Sequence, residues 1–296
     1  MEQKKLLMIV NPRAGRSKPR GPLFDAARIF CRAGYLLSIR DTDAPGEATA
    51  IAAGEGADYD AVVAVGGDGT LNEVISGLMK LEKRPPLGYL AQGSTNDFAS
   101  SLHISKKPAA AAEAMVSAAP RQLDIGHWNG RHFVYVASFG AFTKSSYTAP
   151  QAAKNALGHF AYILEGMKDL NSLRPYQVKL TADGEVLDGE YLFGAVCNST
   201  SIGGLMKLDP ERVVLDDGKF ELLLIPTPKT AQDLQNLVLA LLNQEYDSQG
   251  LVFRHVSSIH LETEEDRPWS LDGEYAASAP AVDIANCQRA MTMLLG

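Results

Sequence analysis

The residues best placed to do chemistry lie in one run, Ala61-Val62-Val63-Ala64-Val65-Gly66-Gly67-Asp68-Gly69-Thr70-Leu71-Asn72-Glu73-Val74. The apolar residues read as a buried strand, the glycines as a turn, and the remainder as the start of a helix. Gly66, Gly67 and Gly69 let the backbone approach a ligand closely, and a helix start offers unpaired N–H groups and a positive dipole end to an anion. That layout suits phosphate. Asp68, an acid inside the ring, would repel a bare phosphate, so its presence argues for an intervening cation, with magnesium the natural choice. No P-loop ending in Gly-Lys-Ser/Thr occurs in the chain, and no Gly-x-Gly-x-x-Gly follows a strand. An ordinary strand-turn-helix corner is the plain alternative.

Four further segments carry reactive or ligating types. Asn11-Pro12-Arg13-Ala14-Gly15 is a proline-stiffened turn with Arg13 and Arg16 beside it, suited to a polyphosphate but equally readable as a surface turn with solvated arginines. Gly93-Ser94-Thr95-Asn96-Asp97-Phe98-Ala99 supplies hydroxyls and an amide that can donate to phosphate or a base, and the same residues make an N-cap run. Asp216-Asp217-Gly218-Lys219-Phe220-Glu221 reads on its own as an Asp-Gly turn opening a strand. Asp-Gly-Glu occurs at Asp183 to Glu185, Asp188 to Glu190 and Asp272 to Glu274, and spacing does not choose among the copies. The first two flank the centre of a hairpin expected between Tyr176 and Cys197, where Asp-Gly is a strong turn signal. The histidines show no His-x-x-x-His spacing, and His127, His132 and His159 read as surface or packing residues.

Gly66-Gly67-Asp68-Gly69-Thr70 followed by Asn72-Glu73 resembles the nucleotide loop of the diacylglycerol kinase catalytic family, which includes bacterial lipid kinases and sphingosine kinases. The Asn11 loop resembles the family's Asn-Pro-x-x-Gly segment. Gly93 to Ala99 resembles its Gly-Thr-x-Asn-Asp-Phe-Ala segment, with Ser94 in place of the more usual Thr, and Leu271 to Glu274 resembles its C-terminal Leu/Ile-Asp-Gly-Glu motif. The resemblance runs through nearly the whole chain.

It implies an ATP-dependent lipid kinase that transfers the γ-phosphoryl group to the hydroxyl of a diacylglycerol-like lipid, with magnesium. The nucleotide contacts it implies are Asn11, Pro12, Arg13, Gly15, Thr42, Gly66, Gly67, Asp68, Gly69, Thr70, Asn72, Glu73, Gly93, Ser94, Thr95, Asn96 and Asp97. A magnesium ion would be held by the Asp217 carboxylate with backbone oxygens of Val214 and Lys219. Asp68 would act through magnesium, Glu274 would be the general base and Asp272 its acidic neighbour, with an exchange of the last two roles left open. The active site is expected in the cleft between two domains. An NAD kinase shares the Gly-Gly-Asp-Gly-Thr loop, but no Gly-Ser-Thr-Ala-Tyr segment of that kind occurs here. A non-catalytic lipid- or nucleotide-binding regulator is the other alternative, opposed by the intact acidic set Asp68, Asp217, Asp272 and Glu274.

The elements that must position these residues change character along the chain. Up to about residue 125, strands at Leu6 to Val10, Tyr35 to Arg40, Ala61 to Val65 and Leu87 to Leu90 alternate with helices at Leu23 to Ala33, from Glu47, from about Leu71 to Leu81, and at Ala109 to Ala118. This predicts an α/β nucleotide-binding domain, residues 1–125, with a parallel sheet, helices on both faces, and ligand loops beyond the carboxyl ends of strands. Residues 126–285 read as a β-rich, sandwich-like lipid-binding domain, with strands at His132 to Phe139, Tyr176 to Ala182, Glu190 to Cys197, Phe220 to Ile225, Ser257 to Glu262 and Ala281 to Ala285. Helices at Asn155 to Leu170 and Thr230 to Gln244 interrupt it. Residues 286–296, helical or extended, return to the first domain if the resemblance holds.

A chain of 296 residues, 46% hydrophobic and 21% charged, is long enough for two such cores. No apolar run approaches the roughly twenty residues of a membrane span, and Leu6 to Val10 is too short for a signal-peptide core. The expected location is therefore the cytoplasm, with transient peripheral contact at the inner membrane surface. A net charge of −7 disfavours a nucleic-acid partner, and homodimer formation stays open. Cys31, Cys197 and Cys287 form no Cys-x-x-Cys pair and read as packing residues.

Overall fold

The computed structural model describes residues 3–14, 21–93, 96–117, 119–140, 175–202, 206–243, 245–246, 250–263, 268–277 and 279–295. The expected helix at Asn155 to Leu170 lies outside them, as do His159, Gly15, Ser94 and Thr95. The chain divides into two compact units, Met1–Leu123 with Arg289–Gly296, and Asp124–Gln288.

The first unit alternates β1 (Lys5–Val10), α1 (Gly21–Arg32), β2 (Leu36–Asp41), α2 (Glu47–Glu55), β3 (Ala61–Gly66), α3 (Asp68–Leu78), β4 (Leu87–Ala91), α4 (Asp97–Ser101) and α5 (Pro108–Ser117). Its strands lie in the order β4-β3-β1-β2, all parallel. The continuous apolar sequences of β1, β3 and β4 follow from burial on both faces, the usual state of a parallel strand covered by crossover helices. On one face Leu6, Met8, Val63, Val65 and Leu90 pack with Ala26 and Phe30 of α1 and Ala111, Ala112 and Met115 of α5. Helix α3 begins at Asp68, three residues before the expected Leu71, and ends at Leu78 rather than Leu81. Gly67 takes the extended N-cap conformation, and an acid at the first helical position suits the positive end of the dipole. The turn and the helix start are therefore one object.

The second unit holds β5 (Pro120–Trp128, whose first residues belong to the first unit), β6 (Arg131–Phe133), β7 (Val136–Gly140), β8 (Tyr176–Ala182), β9 (Glu185–Cys197), β10 (Ser201–Ile202), β11 (Met206–Lys207), β12 (Phe220–Pro226), α6 (Ala231–Asn243), β13 (Val252–Val256), β14 (Ser258–Glu262), β15 (Trp269–Leu271), β16 (Glu274–Ala276) and β17 (Ala281–Leu294). Antiparallel pairing runs β16-β15-β7-β9-β8-β14-β17, with β12 joining β9 to β13. Period-two burial, clearest in β14, turns Ile259 and Leu261 toward a core that also holds Phe133, Phe139, Phe220, Leu222 and Trp269. The Phe139 and Trp269 rings meet at 4.9 Å.

Three expectations need correction. The His132 to Phe139 run is two strands, broken at Val134-Tyr135. The second Asp-Gly-Glu copy is no turn: Asp188 and Gly189 sit inside β9, opposite Lys179 and Val178 of β8. Cys31 is exposed and does not pack, whereas Cys197 is buried. The tail is extended. The early part of β17 pairs with β14, and its Met293 pairs in parallel with Leu87 of β4.

Candidate functional site

In the first unit, the four loops that follow β1, β2, β3 and β4 carry the predicted nucleotide residues. Gly66 ends β3, and a Cβ there would collide with the Thr70 side chain, so glycine is required where α3 folds back over the strand end. Thr70 is buried, and its hydroxyl accepts a hydrogen bond from Asn11 Nδ2 at 3.1 Å. Asn11 also takes the Arg13 N–H on its side-chain oxygen at 3.0 Å, shaping the Asn-Pro turn, and Pro12 and Arg13 are exposed. Thr42 is buried with its hydroxyl turned to the Val10 carbonyl. Asn72 accepts from the Ser76 hydroxyl, and the Glu73 carbonyl accepts from Thr49.

The loops after β3 and β4 are pressed together at two glycines. A Cβ on Gly67 would lie 3.3 Å from the Gly93 Cα, and one on Gly93 would lie 2.7 Å from Asn96 Oδ1. Asn96, buried in the left-handed region at φ 54°, closes its loop by donating Nδ2 to the Gly93 carbonyl and accepting the Gly93 N–H, both at 2.9 Å. The next residue, Asp97, donates its N–H to Asp68 Oδ2 at 3.2 Å. Burial raises the Asp68 carboxyl above its ordinary range, opposed by backbone N–H groups of Asp97, Phe98 and Asn96 and by the Tyr89 hydroxyl. Asp68 Oδ1 is buried and has no hydrogen-bond partner among the described residues. A desolvated carboxylate oxygen left bare is costly unless something binds it. A hard cation fits, since magnesium commonly takes one or two carboxylates and completes its shell with phosphate oxygens and water.

In the second unit, Asp272 and Gly273 form a two-residue turn with φ 51° and 84° between β15 and β16, in which Leu271 pairs with Glu274. Positive φ at both central residues is the type I′ hairpin that Asp-Gly favours. Asp272 is buried. Its Oδ2 accepts from Val134 N at 2.7 Å, its Oδ1 accepts from Tyr135 N and Val136 N at 3.0 Å, and its own N–H donates to Val136 O at 2.8 Å. The break between β6 and β7 is thus a cradle of three consecutive N–H groups around one carboxylate. Glu274, two residues on, is exposed, and its carboxylate has no ion pair or side-chain hydrogen bond among the described residues. The structure separates two acids that the sequence left interchangeable.

Asp217, Val214 and Lys219 are exposed, and Asp217 Oδ1 accepts the Lys219 N–H at 2.9 Å in an Asx turn. The central Gly218 N–H donates at 2.7 Å to Asp124, a wholly buried acid that also accepts from Asn286 Nδ2 at 3.2 Å. Sequence reading did not single out Asp124. The available signal was an acid flanked by Leu123 and Ile125 at the start of a buried strand stretch. No group of three His, Cys, Asp or Glu able to hold a metal occurs among the described residues.

Comparison with known proteins gives the class. Residues 5–128 match the diacylglycerol kinase catalytic domain, and residues 136–294 match the YegS C-terminal NAD kinase beta sandwich-like domain. The chain is 36% identical over 280 residues to a diacylglycerol kinase of Bacillus subtilis strain 168, covering 94% of this chain and 92% of that one. It is 32% identical over 290 residues to a diacylglycerol kinase of Staphylococcus aureus strain RF122, covering 97% and 91%. A crystal structure of a candidate diacylglycerol kinase from Bacillus anthracis strain Sterne superposes with a TM-score of 0.83 at 26% identity, over 100% of this chain and 98% of the other. The chain belongs to the diacylglycerol kinase family, a family of ATP-dependent lipid kinases. The NAD kinase in the second domain's description concerns its fold.

Proposed function

We propose that this protein transfers the γ-phosphoryl group of ATP to the hydroxyl of diacylglycerol or a closely similar lipid. The observation that carries the reading is Asp68, an acid at the junction of two strand-end loops with one buried oxygen that has no hydrogen-bond partner among the described residues. The N-terminal N–H groups of α3, with the loops at Asn11 and Gly93, would bind the phosphates, and Gly15, Ser94 and Thr95 belong to the same proposed contacts. A divalent cation, when bound, neutralises charge on the β- and γ-phosphate oxygens. Asp68 would hold it, and the Asp217 carboxylate with the Val214 and Lys219 carbonyls is proposed as a second oxygen-only site.

Glu274 suits the base role because its carboxylate is exposed and has no ion pair or side-chain hydrogen bond among the described residues, whereas both oxygens of Asp272 are engaged in holding the hairpin. As the lipid oxygen bonds to phosphorus and the bond to the bridging β,γ-oxygen breaks, the alcohol proton passes to Glu274 and ADP leaves. The base must come within hydrogen-bond reach of that alcohol. No helix among the described residues is long and apolar enough to cross a membrane, so the proposed encounter with lipid is a transient one at a membrane surface.

The test incubates purified protein with labelled ATP and magnesium against diacylglycerol, a sphingoid base and NAD. Label is expected in the diacylglycerol product and lost with EDTA. Asp68→Asn should abolish turnover with melting unchanged. Labelling of NAD instead, or full activity in Asp68→Asn, overturns the reading.

A further inference from the structure

Tyr89 takes no part in the reading above, yet it lies at the junction on which that reading rests. It sits in the middle of β4 opposite Ala64 of β3, and its side chain is wholly buried. Its ring fills core space, but a leucine or phenylalanine would do that without a polar group. A buried phenol O–H needs an acceptor. Here the hydroxyl is 3.4 Å from Asn96 Oδ1, at the long limit for a hydrogen bond, and it also lies close enough to the Asp68 carboxylate to interact with it.

The two acceptors are unequally supplied. Asn96 Oδ1 already receives the Gly93 N–H at 2.9 Å, while Asp68 Oδ2 receives the Asp97 N–H at the longer 3.2 Å and Oδ1 has no hydrogen-bond partner among the described residues. A phenol has one proton to give, and a carboxylate is a stronger acceptor than an amide oxygen. A phenol ionises only at about pH 10 even in water, so the Tyr89 hydroxyl is a neutral donor at working pH. A lysine here would neutralise Asp68 and oppose a cation. A tyrosine supports the charge without cancelling it.

We propose that Tyr89 is a positioning residue for the cation-binding carboxylate: its hydroxyl, shared between Asp68 and Asn96, ties the β3–α3 and β4–α4 loops together and holds Asp68 ready for the cation that accompanies ATP. This rests on the assignment of Asp68 made under the proposed function. Tyr89→Phe keeps the ring and removes only the donor. The cation then has to order Asp68 itself, so binding should weaken where metal is involved and not otherwise.

The measurement is equilibrium binding of ADP by calorimetry, across a magnesium series and in EDTA, which needs no turnover. In Tyr89→Phe, the magnesium-dependent gain in ADP affinity should shrink by ~3- to 10-fold, the size expected for one ordinary, long hydrogen bond. Affinity in EDTA should match wild type. In an Asp68→Asn background, adding Tyr89→Phe should have no further effect on the magnesium-dependent part. An unchanged magnesium series in Tyr89→Phe overturns the proposal, and so does an additive loss in the double variant. Equal weakening with and without metal marks a packing role and overturns it as well. Failure of the underlying reading looks different: wild type would bind ADP with no dependence on magnesium, or Asp68→Asn would behave as wild type, and both assignments would fall together.

Discussion

Two hairpins in the second unit are built on the same three residues, Asp183-Gly184-Glu185 and Asp272-Gly273-Glu274, and both turn through positive φ at the aspartate and the glycine. The central φ values are 44° and 90° in one and 51° and 84° in the other. In each, the aspartate carboxylate accepts from consecutive backbone N–H groups of a neighbouring segment, Ser257-Ser258 or Val134 to Val136, and its own N–H returns to a carbonyl there, Ser258 or Val136. The difference lies in burial and in the glutamate. Asp183 is exposed and Glu185 is tied to Arg254 at 3.2 Å, whereas Asp272 is buried and Glu274 is exposed without such a partner among the described residues. A shared motif therefore fixes the turn, and the surroundings decide whether the third residue is a salt-bridge partner or an available base.

The strongest way to break that contrast is to neutralise both glutamates. Glu274→Gln should lower turnover by roughly a hundred- to ten-thousand-fold, the range for loss of a general base, with ATP affinity little changed. Glu185→Gln removes only an exposed ion pair and should turn over as wild type. Equal activity of the two variants in the diacylglycerol assay would mean that the third triplet is merely another turn.

Asp272→Asn sharpens the comparison from the other side. An amide has one acceptor oxygen and turns an N–H toward the donors of Val134 to Val136, so stability should fall by about 2 kcal/mol. Turnover should fall as well, by roughly a hundredfold if the hairpin shifts by about 1 Å. Urea unfolding and the kinase assay separate the two effects. A variant that loses activity at unchanged stability would point instead to Asp272 as a participant in proton transfer.

These two hairpins also mark where sequence reading reaches its limit. The Asp183-Gly184 turn was legible because long strands, β8 and β9, flank it in sequence. The buried runs of β1, β3 and β4 were legible for a similar reason: five or six apolar residues in a row leave few alternatives. The strands β15 and β16 have three residues each, too few for a pattern to emerge. The break in His132 to Phe139 was invisible because its cause, the Asp272 carboxylate, is more than a hundred residues away. Within the candidate site, local chemistry gave the Gly66 to Asn72 loop, but not the burial of Asp124 or the position of the Tyr89 hydroxyl, which depend on what neighbouring strands contribute.

The smallest expected effect belongs to Asp183, and it tests whether the shared geometry has a shared physical basis. Burial alone would raise this carboxyl slightly, but the N–H groups of Ser257 and Ser258, the Ser258 hydroxyl and Lys219 together hold it below its ordinary value of 3.8. A depressed carboxyl stabilises the fold above its unfolded value, and that contribution is lost as the pH falls through its folded value, because the unfolded chain takes up the proton first. At neutral pH, Asp183→Asn should therefore cost no more than about 1 kcal/mol, since solvent screens an exposed group. The gap between variant and wild type should close as the pH drops below 3.8, where the protonated aspartate is itself neutral and amide-like. Turnover should not change at any pH at which the fold persists. Urea unfolding at pH 7, 5 and 3 reads the gap directly. A gap that stays constant across that range would mean that the Asp183 turn is held by its backbone conformation alone, and the parallel with Asp272 would then extend to shape but not to charge.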